Sequence, residues 1–508
     1  MRAFSFVSGL ALAALLLLPS DFTAFGPRDA QAQFIAVPPG GGGGGGRGGG
    51  DFEVYDPCAF GDCFRRRPPP RYRHRGVIVE EDPYVYEDPY FYDEVPEAPT
   101  RRTKQRPKPK AQTAKPKPPA TNEVTLGQTA GTDYRPDEVL VEFPLDTPQE
   151  QIDALAQENN IEQLGSQEIA LLNVRLHRWR VAAGQTPEAV AARLRGNANV
   201  SAANLNRIYT LEEAQANSGP PQYAADKLRL TEAHAITRGD GVLIALIDSG
   251  ADKDHPELKD VIAREFDAVG GTFEPHAHGT GMAGAIAGQD TLKSAAPNAR
   301  ILNVRAFAAS GKTQDGTTFD VIKGMDWAAQ NGARIFNLSF AGPRDPLMSR
   351  VVKAAQGKGI VVIAAAGNRG PSSPPLYPAA DAGVIAVTAT DADDGVMKQA
   401  NRGRYVTMAA PGVDILLPAP NKSYAISSGT SIATAYVSGV AALILARNPD
   451  ADGKEVYEIL TGTARDLGAK GRDTDFGAGL TDPAAALEML EPVPMTVSAP
   501  VQTDIPAR

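Results

Sequence analysis

Five apolar runs, residues 241–247, 301–304, 335–338, 360–366 and 384–387, constrain what this chain can fold into more than any other feature. They lack the alternation of a strand that keeps one face in water, and each is short for a helix. Strands buried on both faces of a parallel sheet read this way. Residues 319–331 and 347–357, between the runs, carry helical patterning. Parallel neighbours need crossover connections, and helices supply them. The alternation predicts a doubly wound, mostly parallel α/β domain over residues 219–490, with any site at the strand ends.

A different pattern precedes it. Residues 138–143 read as a strand, and Thr147-Pro148-Gln149-Glu150 as a helix start with Thr147 at the N-cap, Pro148 at N1 and Glu150 at N3. Residues 161–169, 173–181 and 200–211 read as further strands, and Thr186-Pro187 opens a second helix. The order β-α-β-β-α-β predicts a small ferredoxin-like α+β domain over residues 134–218. The chain of 508 residues has room for both.

Upstream, composition decides. Residues 40–50 are almost all glycine, and Arg/Pro, acidic tyrosine-rich and basic proline-rich stretches follow, so residues 33–133 are expected to be disordered. The tail, 491–508, is expected to fray. Arg2 followed by an apolar run, with Ala30-Gln31-Ala32 as a cleavage site, reads as a signal peptide over residues 1–32. No later segment reads as a membrane span. Cys58 and Cys63, both in the low-complexity region, leave a short loop disulfide, free thiols or interchain pairing open. The net charge of −9 offers no footprint for nucleic acid.

Four polar residues stand where this architecture puts chemistry. Asp248 directly follows the first apolar run. A carboxylate there can orient a histidine and stabilise its imidazolium, although Asp-Ser-Gly is also ordinary turn sequence. His278 begins a small-residue helix through Gly281, Ala283 and Gly284, whereas no such helix directly follows His276. Ser431 opens a helix apolar nearly all round, 431–446, which must therefore be buried. A serine there is often only a cap, yet it also brings a hydroxyl and helix N–H groups to one place. Asn368 ends the run 360–366 in an amide, a candidate donor to an oxyanion.

Together the segments Asp248-Ser249-Gly250, Asp254-His255-Pro256, Asn337-Leu338-Ser339, Gly367-Asn368, Ala410-Pro411-Gly412 and Gly429-Thr430-Ser431 resemble the subtilisin-like serine peptidases. The resemblance implies a serine endopeptidase with Asp248 as orienter, His278 as general base and then acid, Ser431 as nucleophile and Asn368 as oxyanion donor. It implies that Ser339, Phe340 and Ala341 pair with an extended polypeptide substrate, and that Ala365, Ala366 and Gly367 wall the main specificity pocket. The small domain resembles the family's inhibitor-like propeptide, a partner within the same chain, with a self-cleavage junction between residues 209 and 218. A permanent binding domain is the alternative. Secretion or an envelope location, and a self-processing zymogen, follow from the same resemblance.

There are departures. Ala435-Tyr436 stand where the family usually has a Pro-His pair, and Gly281 where it often has a second histidine. No cofactor is required for the chemistry. Residues 286–297 hold Asp290 as their only acid, too few oxygen ligands for a tight structural calcium site. Asp252, Asp254 and Glu257 read as a solvated charged turn, with weak binding of a cation as the alternative. The competing reading is a catalytically weak or inactive envelope protein acting through its low-complexity region.

Overall fold

The computed structural model describes residues 133–211, 222–310 and 313–490. The signal peptide, the low-complexity region with its cysteines, most of the cleavage junction and the tail lie outside the described residues.

The small domain comprises β1 (Tyr134–Pro144), α1 (Gln149–Glu158), β2 (Glu162–Ile169), β3 (Val174–Arg180), α2 (Pro187–Leu194) and β4 (Ala202–Thr210), in the predicted order. The two Thr-Pro signals behave differently. Thr186 caps α2 by accepting from Ala189 N at 3.3 Å. Thr147 does not cap α1. Its N–H closes a turn onto Pro144 O at 3.1 Å, and Pro148 takes the N-cap position instead.

The large domain continues through α3 (Tyr223–Lys227), α4 (Leu230–Ile236), β5 (Leu243–Asp248), β6 (Ile262–Asp267), α5 (Ala277–Ala287), β7 (Arg300–Arg305), β8 (Ala308–Ser310), β9 (Thr313–Thr317) and α6 (Thr318–Gln330). Next come β10 (Ile335–Leu338), α7 (Pro346–Gly357), β11 (Val361–Ala365), β12 (Ile385–Thr390), β13 (Met408–Pro411), β14 (Ile415–Ala419), β15 (Ser423–Ser427), α8 (Thr430–Arg447), α9 (Gly453–Gly462) and α10 (Pro483–Glu488). Seven strands form one parallel sheet, ordered β13-β12-β11-β10-β5-β7-β6.

Both faces of this sheet are covered, which explains the unbroken apolar runs. On β5, Ile244 and Leu246 join a core with α5 and α8 residues such as Met282 and Val437, while Ala245 and Ile247 face the other core with Ile322 and Val351. From β5 the chain crosses to the edge strand β6, comes back to fill β7 between the two, and then builds β10 to β13 on the other side of β5. The strand order therefore reverses between β5 and β10, where open α/β sheets form their crevice. Helix α8 satisfies the length and apolarity of a membrane span, but 89% of that stretch is buried in the protein.

The small domain's sheet does not end with its own strands. Its order is β2-β3-β1-β4-β9-β8, so the large domain's β8–β9 hairpin extends it through antiparallel pairing of β4 with β9. One sheet face packs Val139, Val141 and Phe143 onto its own helices; Leu140, Leu176 and Tyr209 join the core of the large domain. Polar contacts fix the seam. Asn206 Oδ1 accepts from Phe319 N at 3.2 Å, Leu171 N donates to Asp326 Oδ1 at 2.8 Å, and buried Glu142 pairs with Arg350.

His177 in β3 is 2% exposed, packed edge-on against Phe143 at 5.2 Å. Burial pushes its pKa down to about 4, with Arg175 acting in the same direction. Below pH 6.5 the unfolded chain takes up a proton that the folded domain refuses, so stability is full above that value. It falls as pH drops toward about 4, by roughly 3 kcal/mol in total. Thermal unfolding of a Ser431→Ala chain across this window should show the loss. His177→Leu should flatten it, and an equally steep slope in that variant would remove His177 as the cause.

Candidate active site

Three elements meet at the crevice. Asp248 is the last residue of β5 and fully buried. Its Oδ1 accepts from Ser249 N at 2.7 Å and Ser249 Oγ at 3.0 Å. His278 Nδ1 lies 2.8 Å from Asp248 Oδ1 and 3.0 Å from Oδ2. A carboxylate only accepts, so Nδ1 carries the proton, and Nε2 of the neutral ring is an acceptor.

The histidine is held from both sides. Helix α5 starts at Ala277, capped by His276, whose Nδ1 accepts from His278 N at 3.2 Å. The sequence reading passed over His276, which anchors the helix that carries His278. Ser249 Oγ also accepts from Gly279 N at 3.2 Å, tying the end of β5 to α5. The approach is close enough that a Cβ at Gly279 would lie 2.6 Å from Gly250 O. Only glycine at that position lets the imidazole reach the carboxylate.

Ser431 is the second residue of α8, which packs on α5, and is 3% exposed. Its hydroxyl donates to Ser339 O at 3.0 Å, and Ser339 Oγ donates back to Ser431 O at 3.1 Å. Behind them, Asn337 Nδ2 donates to Ser339 Oγ at 2.8 Å and Ser438 Oγ to Asn337 Oδ1 at 2.9 Å. This network locks the segment after β10 to the start of α8.

Asn368 Oδ1 accepts from Thr430 N at 3.1 Å and Thr430 Oγ1 at 2.9 Å. A backbone N–H can only donate, so the amide oxygen faces α8 and the NH₂ group faces the other way. Thr430, which the sequence reading did not single out, thereby sets the orientation of the amide. Its Oγ1 also accepts from Gly367 N at 3.2 Å.

Ala365, Ala366 and Gly367 are buried at the end of β11, with Tyr405 Oη donating to Ala366 O at 2.9 Å. Leu376 packs beneath: its Cδ1 would be 2.7 Å from a Cβ at Gly367. Opposite, Phe340 and Ala341 border a cleft that holds the end of β4. Thr210 forms an antiparallel bridge with Ala341, and fully buried Tyr209 stacks edge-on against Phe340 at 5.5 Å.

One expectation is corrected. Glu257 is not in a solvated turn; it is fully buried. Its carboxylate accepts from the N–H groups of Asp290 at 3.0 Å, Thr291 at 2.8 Å and Leu292 at 3.1 Å, and from Tyr424 Oη at 3.0 Å. The loop 286–297 is short and brings N–H donors inward, and a buried charge needs such partners. A calcium ion needs oxygens, so this arrangement does not fit one.

The chain is similar to known proteins in sequence and in fold. A match to the subtilase family covers residues 239–479, and a match to the fervidolysin N-terminal prodomain covers residues 120–206. A thermophilic serine proteinase of Bacillus sp. (strain AK1) is 31% identical over 371 residues, 71% of this chain and 90% of that protein. Thermitase of Thermoactinomyces vulgaris is 37% identical over 238 residues, 45% of this chain and 84% of that protein. In fold, the crystal structure of fervidolysin from Fervidobacterium pennivorans matches with a TM-score of 0.61 and 24% identity. That match covers 71% of this chain and 62% of fervidolysin.

Proposed function

Because the chain belongs to the subtilase family of serine peptidases, we propose that Asp248, His278 and Ser431 act as its catalytic triad and that it is an exported, self-processing zymogen. The observation that carries this reading is the two-oxygen contact of buried Asp248 with His278 Nδ1 beside helix α8.

The chemistry runs as follows. The Ser431 hydroxyl turns from Ser339 O toward His278 Nε2, which takes its proton as Oγ bonds to the substrate carbonyl carbon. Asp248 stabilises the imidazolium without taking its proton. The tetrahedral oxyanion accepts from Ser431 N–H and the Asn368 amide, with the α8 N-terminus favouring the negative charge. His278 then protonates the departing amine, the C–N bond breaks, and an acyl-enzyme remains. Water, deprotonated by His278, attacks the ester; collapse releases the acid and returns the proton to Ser431. The bridge from Thr210 to Ala341 is the pattern an extended substrate would repeat. The pairing of the prodomain's Thr210 with Ala341 supports a role for the prodomain as an intramolecular inhibitor. The apolar run after Arg2 supports export.

A fluorophosphonate probe, which phosphonylates an activated serine with loss of fluoride, should label the processed wild-type chain and spare Ser431→Ala. Labelling of both, or of neither, would overturn the assignment. Asn368→Ala should lower kcat about 10²- to 10³-fold with KM little changed, since the amide is engaged mainly in the transition state. Steady-state hydrolysis of a peptide ester checks this, and a loss confined to KM would reassign Asn368 to substrate binding.

A further inference from the structure

The end of β4 lies in the cleft in a register that can be counted. Thr210 N donates to Ala341 O at 3.2 Å, and Ala341 N to Thr210 O at 3.4 Å. On the other edge Tyr209 pairs with Gly316, and Leu211 N donates to Gln314 O at 3.2 Å. Antiparallel partners run in opposite directions. An extended peptide that continues this ladder past the position of Leu211 therefore sets its next residue opposite Ser339. The Ser339 carbonyl is the group that holds the Ser431 hydroxyl, 3.0 Å away. The residue facing Ser339 is thus the one whose carbonyl carbon meets Ser431, and the bond that follows it is the one cut.

The same register places a cation. Side chains alternate along a strand, so the residue facing Ser339 shares a face with Thr210. On that face Arg369 Nη2 lies 3.4 Å from Thr210 Oγ1. Arg369 directly follows Asn368, and its backbone N–H is tied to Asn401 Oδ1 at 2.9 Å, which fixes the root of the side chain at the rim of the site. A guanidinium there presents a fork of donors suited to a carboxylate.

We propose that this peptidase cleaves after an acidic residue, whose carboxylate Arg369 binds. The step is a hydrolysis: the carbonyl of the acidic residue gains hydroxyl from water, the nitrogen that follows it gains a proton, and Ser431 is restored. This rests on the assignment of Ser431 as nucleophile.

The test uses the full chain, allowed to process, and fluorogenic peptides Tyr-Thr-Leu-Xaa with a coumarin amide after Xaa. Charge-assisted hydrogen bonding should favour Xaa = Glu over Gln in kcat/KM by about tenfold to a hundredfold. Arg369→Gln should shrink that ratio at least about tenfold. Arg369→Glu should make Lys preferred over Glu, a gain that misfolding cannot produce. Ser431→Ala should leave every one of these peptides uncut. A wild-type Glu:Gln ratio near one, or an unchanged ratio in Arg369→Gln, would each overturn the proposal while leaving the triad intact. Hydrolysis that persists in Ser431→Ala would instead overturn the triad, and the proposal with it.

Discussion

Ser431→Ala is expected to lower kcat for peptide hydrolysis about a millionfold, the scale known for loss of the same residue type in subtilisin. That corresponds to about 8 kcal/mol of barrier. The loss is large because serine, base and oxyanion donors act as one unit, and removing the nucleophile idles the rest. A residual rate about 10³- to 10⁴-fold above water should survive from binding and oxyanion stabilisation. The fold should not pay for the change. Ser431 gives up only its bond to Ser339 O, while Ser339 Oγ keeps its contact with the Ser431 carbonyl. The variant chain should therefore run at full length with the prodomain attached, on denaturing gels and by intact mass. Processing of Ser431→Ala at the wild-type rate would show that another group or another protease makes the cut.

Asp248→Asn is expected to lower kcat about 10⁴-fold at neutral pH, with little change in melting temperature. Asparagine matches aspartate in volume, and its oxygen can still accept from Ser249 N. Its NH₂ group, however, would take the place of Oδ2, which lies 3.0 Å from His278 Nδ1. Two donors cannot face each other, so the ring must switch tautomer and place its proton on Nε2. A protonated Nε2 cannot accept from Ser431. Nitrogen NMR of the imidazole should report the switched tautomer, a signature that a merely structural role would not move. A loss of less than about tenfold would remove Asp248 from the orienting role.

The features most easily read from sequence are those set by local burial. The strands β5, β10, β11 and β12 fall within a residue or two of the predicted runs, except that β12 extends to Thr390, and α8 at Thr430–Arg447 lies within a residue of its predicted span. Strand β9 shows the limit. Its sequence, Thr313-Gln314-Asp315-Gly316-Thr317, has no apolar alternation, and it is a strand because its backbone pairs with β4 and β8. Glu257 shows another. Nothing local marks it as buried; three N–H groups from a loop more than 30 residues away take it inside. Thr147 and Thr186 carry the same Thr-Pro signal, and only the hydrogen bonds around each separate the cap from the turn.

For the site, sequence alone determined the residue types and the elements that carry them. Asp248 had to end a doubly buried strand, and Ser431 had to begin a helix with no polar face, because hydrophobic periodicity is a local property. Sequence could not decide what meets what. The contacts of Asp248 with His278, of Ser431 with Ser339 and of Thr430 with Asn368 each join distant segments. They arise from the reversal of strand order between β5 and β10 and from the packing of α5 on α8. Tertiary structure also decided that the cleft beside Ala341 is filled by the chain's own strand, in a register that can be counted to the nucleophile. The physical reason is that strand pairing runs through backbone groups common to all residues, so its register is written in the packed structure and not in the local pattern.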